Sequence, residues 1–125
     1  MAKTVLLVED DFFIRELYQK ALEMKGMKVF TATDGGEAIE LFAKEKPDIV
    51  LLDIMLPTMS GMDVLKHIKA EAKDQNKTPV IMISNLDSPE AIEQAQRLGA
   101  DEYWVKSLKT PMEAADTVNH YQLRG

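Results

Sequence analysis

The chain has 125 residues, which fits one domain with one real core. Its composition, 46% hydrophobic and 29% charged, is that of a globular protein and excludes a disordered chain; its apolar runs fall far short of the ~18 residues a membrane span needs. A net charge of −6 with no basic stripe disfavours sequence-independent nucleic-acid binding, and the lack of cysteine excludes disulfides and thiolate chemistry.

The N-terminus, MAKTVLLVEDD, has a short apolar run that ends in acids, unlike a signal peptide, so a cytoplasmic location is expected. TVLLV (Thr4–Val8) is β-branched and apolar and reads as a strand. FFIRELYQKALEMKG follows, with Phe13, Leu17, Ala21, Leu22 and Met24 near helical spacing as one apolar face and Gly26 as its stop. KVFTA (Lys28–Ala32) reads as a second strand. Asp34 is placed to cap a helix from Gly35 to about Lys46, with Ala38, Ile39, Leu41 and Phe42 inward and Pro47 ending it. DIVLLD is the third strand.

Ser60 then caps GMDVLKHIKAEA, where Met62, Leu65 and Ile68 form one stripe. PVIMIS (Pro79–Ser84) is the fourth strand. The next helix is marked by Ser88 as cap, Pro89 at its first position, Glu90 in its first turn and Gly99 after its end. EYWV is a fifth, shorter strand, and TPMEAADTVNHYQ reads as a last helix starting at Thr110 and Pro111. Five strands alternating with five helices imply an α/β domain with a parallel, doubly wound sheet, because parallel strands need helical crossovers. In such sheets ligands bind outside the carboxyl ends of the strands.

Those ends carry chemistry. Strand 1 ends in Glu9, Asp10 and Asp11, strand 3 in Asp53, strand 4 in Ser84, and strand 5 near Lys106. Taken singly, each has an ordinary explanation: Asp10, Asp11 or Asp53 as a cap, Ser84 as a loop residue, Lys106 as a solvated lysine. Four such residues at consecutive ends of one sheet are harder to dismiss. Clustered carboxylates repel unless a cation sits among them, and oxygen-only ligands suit a hard cation such as Mg²⁺. A lysine and a hydroxyl opposite suit an anion. With neither GxxxxGK[ST] nor GxGxxG present, a phosphoryl group covalently held on a carboxylate fits better than a bound nucleotide.

Over essentially its whole length the sequence resembles the receiver domain of bacterial two-component response regulators. The resemblance is carried by LLVEDD, by DIVLLDIMLPTMSG with Pro57 four and Gly61 eight residues after Asp53, by PVIMIS, and by GADEYWVK. It implies a flavodoxin-like sheet in the order 2-1-3-4-5 and one receiver domain spanning residues 1–125 with no output domain in this chain. It implies that Asp53 is the phosphoacceptor, that Asp10 binds Mg²⁺ directly with Glu9 acting through water, and that Met55 lends its backbone carbonyl; Asp11 is left out of the metal shell. Ser84 and Tyr103 match the switch residues, and Lys106 the lysine that pairs with the phosphate.

The function implied is a switch, phosphorylated by a sensor histidine kinase or histidine phosphotransfer protein. It catalyses only its own phosphorylation and slow dephosphorylation. Its downstream partner, or a second copy in a homodimer, would bind helix 4, strand 5 and helix 5; no direct contact with nucleic acid or membrane is implied. Tyr103 is expected at the centre of that surface, with Trp104 either beside it or packed under helix 5. Two alternatives are a pseudo-receiver binding module and a Mg²⁺-dependent aspartyl-phosphate phosphatase, the latter disfavoured because position 55 is Met rather than an acid.

Two positions depart from the family's pattern. Ser107 stands where a proline commonly follows the lysine, so the Lys106–Ser107 bond is expected to be trans. Asn85 stands where a very small residue is usual, and its bulk is expected to slow phosphorylation. With apolar Met55 and Leu86 flanking the site, the phosphorylated form is expected to be long-lived.

Overall fold

Alternating strands and helices do form in the computed structural model, which describes residues 2–71 and 78–121. In chain order they are β1 (Thr4–Val8), α1 (Phe12–Met24), β2 (Lys28–Ala32), α2 (Gly35–Glu45), β3 (Ile49–Asp53), α3 (Gly61–Glu71), β4 (Val80–Ser84), α4 (Pro89–Arg97), β5 (Glu102–Val105) and α5 (Pro111–His120). A single 3-10 turn, Lys106–Leu108, links β5 to α5. All strand pairs are parallel and the order is β2-β1-β3-β4-β5, the doubly wound arrangement expected. The Ala72 end of the third expected helix and the Gln122 end of the last lie outside the described residues.

Strand pleating divides the core. Leu6, Val8, Val50, Leu52, Val80 and Met82 face α2, α3 and α4. Val5, Leu7, Ile49, Leu51, Ile81 and Ile83 face α1 and α5. Each such aliphatic contributes roughly 1.5–3 kcal/mol on full burial. Together they offset the several kcal/mol needed to hold a carboxylate such as Asp53 at a buried strand end.

The helix starts follow local chemistry. Asp11, Asp34 and Ser88 accept from the backbone N–H three residues on, at 3.0, 2.9 and 3.2 Å. Ser60 accepts from the Met62 N–H. Thr110 and Glu113 bond reciprocally, a capping box at the start of α5. α2 stops one residue earlier than expected. Lys46 turns left-handed at φ 47, because a residue before proline is disfavoured in the helical region.

The apolar face assigned to α1 needs correction. Phe13, Leu17 and Met24 are 78%, 57% and 74% exposed, and the stripe that packs is Ile14, Tyr18, Ala21 and Leu22. The helix offers two adjacent apolar stripes, and only one can face the sheet and α5. Trp104 is settled as well: it is 7% exposed, packs with Ala114, Ala115 and Val118 of α5, and donates its indole N–H to Glu102 Oε1 at 2.8 Å. It lies beneath the surface that Tyr103 borders, not on it.

Candidate functional site at the carboxyl edge of the sheet

Register assembles the site. Val8 pairs with Leu52, Asp53 with Ile83, and Ser84 with Val105. Glu9, Asp53, Ser84 and Lys106 therefore lie within one residue of the last rung on four neighbouring strands. Gly61 lets the chain return close by: a Cβ there would overlap the Asp53 carbonyl oxygen, which accounts for a glycine eight residues after the aspartate.

Lys106 is the hub. Its Nζ lies 2.9 Å from Asp53 Oδ2 and 2.6 Å from Glu9 Oε1. The first contact is a directed hydrogen bond. The second is shorter still, and in it the ammonium faces a carboxylate oxygen that no other group among the described residues reaches. Glu9 Oε2 accepts from the Asp11 N–H at 3.1 Å, and Asp53 Oδ1 from the Met55 N–H at 3.2 Å. Burial, reinforced by the Asp53 charge, pushes the Glu9 carboxyl above its usual range against the pull of Lys106. Burial also acts to lower Lys106, but the contacts with Glu9 and Asp53 outweigh it and hold the ammonium above its usual value.

Glu9, Asp10 and Asp53 each offer an oxygen within 4.8 Å of the others, with Asp10 exposed and the other two buried. Three carboxylates against one ammonium leave negative charge uncompensated, and the donors are all oxygen. Both features fit a hard divalent cation. One cleft is lined by these acids together with Met55, Ser84, Asn85 and Lys106.

Ser84 Oγ accepts from the Leu86 N–H at 3.1 Å, and a hydroxyl that accepts can also donate. Tyr103 donates to the Leu86 carbonyl at 2.7 Å. Burial raises the Tyr103 phenol, with a Ser84 hydrogen bond opposing. The two expected switch residues thus meet at one loop residue. Met55 and Leu86 are exposed, and among the described residues no peptide bond is cis, Lys106–Ser107 included.

Asp11 takes no place among the clustered acids; it is the α1 cap and the donor to Glu9. Sequence reasoning overlooked Arg15, whose guanidinium donates to the Glu9 carbonyl at 3.0 Å and the Asp10 carbonyl at 3.3 Å, and stands over the Phe12 ring. A signal for it was present: a cation in the first turn of a helix opposes the helix dipole and needs another use.

The sequence matches the profile of the response regulator receiver domain over residues 5–115. Among solved structures, the fold is similar to chemotaxis protein CheY4 of Vibrio cholerae (TM-score 0.88, 28% identity), covering 98% of this chain and 100% of that one. A CheY-like receiver domain protein of Methanospirillum hungatei gives TM-score 0.85 and 28% identity over 94% of this chain and 91% of that chain. The BeF3-activated N-terminal receiver domain of Klebsiella pneumoniae RstA gives 0.75 and 33% over 84% and 86%.

Proposed function

Because the chain belongs to the response regulator receiver domain family, we propose that it is a phosphorylation-activated signalling switch with Asp53 as acceptor. The observation that carries this reading is the Lys106 ammonium held between Asp53 and Glu9 beside the exposed Asp10. The donor is the phosphohistidine of a sensor kinase or phosphotransfer protein. An Asp53 carboxylate oxygen attacks phosphorus, a P–O bond forms as the donor's P–N bond breaks, and the leaving imidazole takes a proton from solvent.

Asp53, Asp10, the Met55 carbonyl and, through water, Glu9 would hold Mg²⁺. When bound, the ion supplies charge neutralisation between the carboxylate and the incoming phosphoryl oxygens. Lys106 gives a fixed positive charge to one phosphoryl oxygen, and the Ser84 hydroxyl donates to another. That pull draws Ser84 from the Leu86 N–H, and Tyr103, bonded to the Leu86 carbonyl, follows. A local charge event thereby biases the surface of α4, β5 and α5, where a downstream protein or a second copy would bind.

In this reading the 125 residues work as one receiver unit in the cytoplasm, without direct nucleic-acid contact. Among the described residues no helix is long and apolar enough to cross a membrane. The chain turns over no external substrate; it phosphorylates and slowly dephosphorylates itself.

Intact-mass measurement after incubation with Mg²⁺ and phosphoramidate tests the proposal. Wild type should gain one phosphoryl group, Asp53→Asn none, and Asp10→Asn much less. A full gain in Asp53→Asn would move the chemistry to another residue. No gain in wild type would leave a pseudo-receiver that only binds.

A further inference from the structure

Lys106 sits where a well-held strand gives way to a poorly held turn. Before it, Val105 is fixed by pairing with Ser84. After it, the 3-10 turn Lys106–Leu108 has no buried residue and no side-chain cap, and Leu108 is 80% exposed. The closing bond, from the Lys109 N–H to the Lys106 carbonyl, is long at 3.4 Å. A cleft whose lining includes Ile14, Leu17 and Tyr18 of α1 and Lys106, Ser107 and Lys109 opens between this turn and α1. Yet the Lys106 ammonium must reach two carboxylates at once.

The side chain fastened just past the turn is Lys109. Its ammonium lies 4.5 Å from the centre of the Trp104 ring and 3.4 Å from Thr117 Oγ1. Both anchors are themselves held: Trp104 by burial and its bond to Glu102, Thr117 by donating to the Glu113 carbonyl on α5. Lys109 thus spans from the strand before the turn to the helix after it. A cation over an indole face is the strongest form of such a contact.

We propose that Lys109 is a positioning residue for Lys106, a clamp across the base of the turn that carries it. The inference rests on the reading above that Lys106 acts on the phosphoryl group. The plainer alternative is that the lysine only adds stability by covering Trp104, with no consequence for Lys106.

Two measurements separate these. The first is the rate of phosphoryl uptake at saturating Mg²⁺ and phosphoramidate. Lys109→Gln should lower it about three- to fivefold, the rate equivalent of one such contact, without changing the Mg²⁺ affinity, and Lys109→Arg should restore it. The second is nitrogen-15 NMR of the lysine ammonium groups in metal-free protein. Lys109→Gln should broaden or erase the signal of Lys106 and leave that of Lys69, which is paired with Asp101 at the other edge of the sheet, unchanged.

An unchanged rate and an unchanged Lys106 signal, with only the melting temperature lowered, would overturn the proposal. If wild type takes up no phosphoryl group, the proposed function fails and the ammonium signal alone decides the role of Lys109. Should Lys109→Gln not fold, as loss of the Lys69 signal would reveal, Thr117→Val removes the second anchor and is read the same way.

Discussion

At the edge where the strands begin, Lys69 Nζ lies 3.0 Å from Asp101 Oδ2 and 3.1 Å from the Thr78 carbonyl, while the same Asp101 oxygen accepts from the Val80 N–H at 2.8 Å. At the edge where they end, Lys106 faces Glu9 and Asp53, with Asp10 close by. Both edges bury a lysine against acid. In the first, among the described residues, the Lys69 ammonium meets the Asp101 carboxylate and backbone groups take part, which ties α3, β4 and the start of β5 together. In the second, two buried acids share one ammonium with a third acid beside them, and Glu9 is pushed up by burial. Balanced charge makes a staple; an excess of one sign makes a site waiting for the other.

Removing each lysine separates the two. Lys106→Met leaves two buried acids facing each other and should cost about 4 kcal/mol of stability at pH 7; Lys69→Met leaves one and should cost about 3 kcal/mol. Denaturant melts would measure both. The Lys106→Met deficit should shrink with acid. Losing the ammonium raises the folded-state pKa of Glu9 further above its ordinary 4.5. For a carboxyl so raised, the penalty is fully present above the folded pKa and gone below the unfolded one. A Lys106→Met deficit that stays constant from pH 7 to pH 4 would contradict this. Phosphoryl uptake should collapse in Lys106→Met and persist in folded Lys69→Met.

Glu9→Gln sharpens the contrast with the opposite sign. Because Lys106 keeps Asp53 as its partner and burial already disfavours the charged form of Glu9, neutralising it should stabilise the metal-free protein by about 1 kcal/mol. The gain over wild type should fade as pH falls through the Glu9 folded pKa, where wild type becomes neutral too. Calorimetric titration with Mg²⁺ should show weaker binding in the same variant. A destabilised Glu9→Gln would mean that the ionic contact to Lys106 outweighs the crowding.

The smallest effect concerns the rim. Met55 and Leu86 offer no group to orient a hydrolytic water near Asp53, so the acyl phosphate should be long-lived. Met55→Asn and Leu86→Glu should each speed its loss about fivefold, the worth of one hydrogen bond near 1 kcal/mol. Decay followed at fixed Mg²⁺ checks this, and unchanged rates in both variants would remove these side chains from the argument.

Residue order by itself determined the alternation of elements, their caps and the apolar strands, because these depend on local spacing: Ser88–Pro89, Thr110 with Glu113, and four aliphatics running into Asp53 are visible in one dimension. It also determined which residues stand at the strand ends, and hence the candidate site, since a parallel sheet sends all those ends the same way. Only the tertiary structure decided which of two apolar stripes of α1 is buried, and that Trp104 lies under α5. Both depend on which partner helix occupies that face. The same holds for Arg15 on the Glu9 and Asp10 carbonyls, for Lys109 on Trp104 and Thr117, and for Lys69 with Asp101. Each is a long side chain reaching a group supplied by a fold already formed, and pairings of that kind leave no period in the sequence.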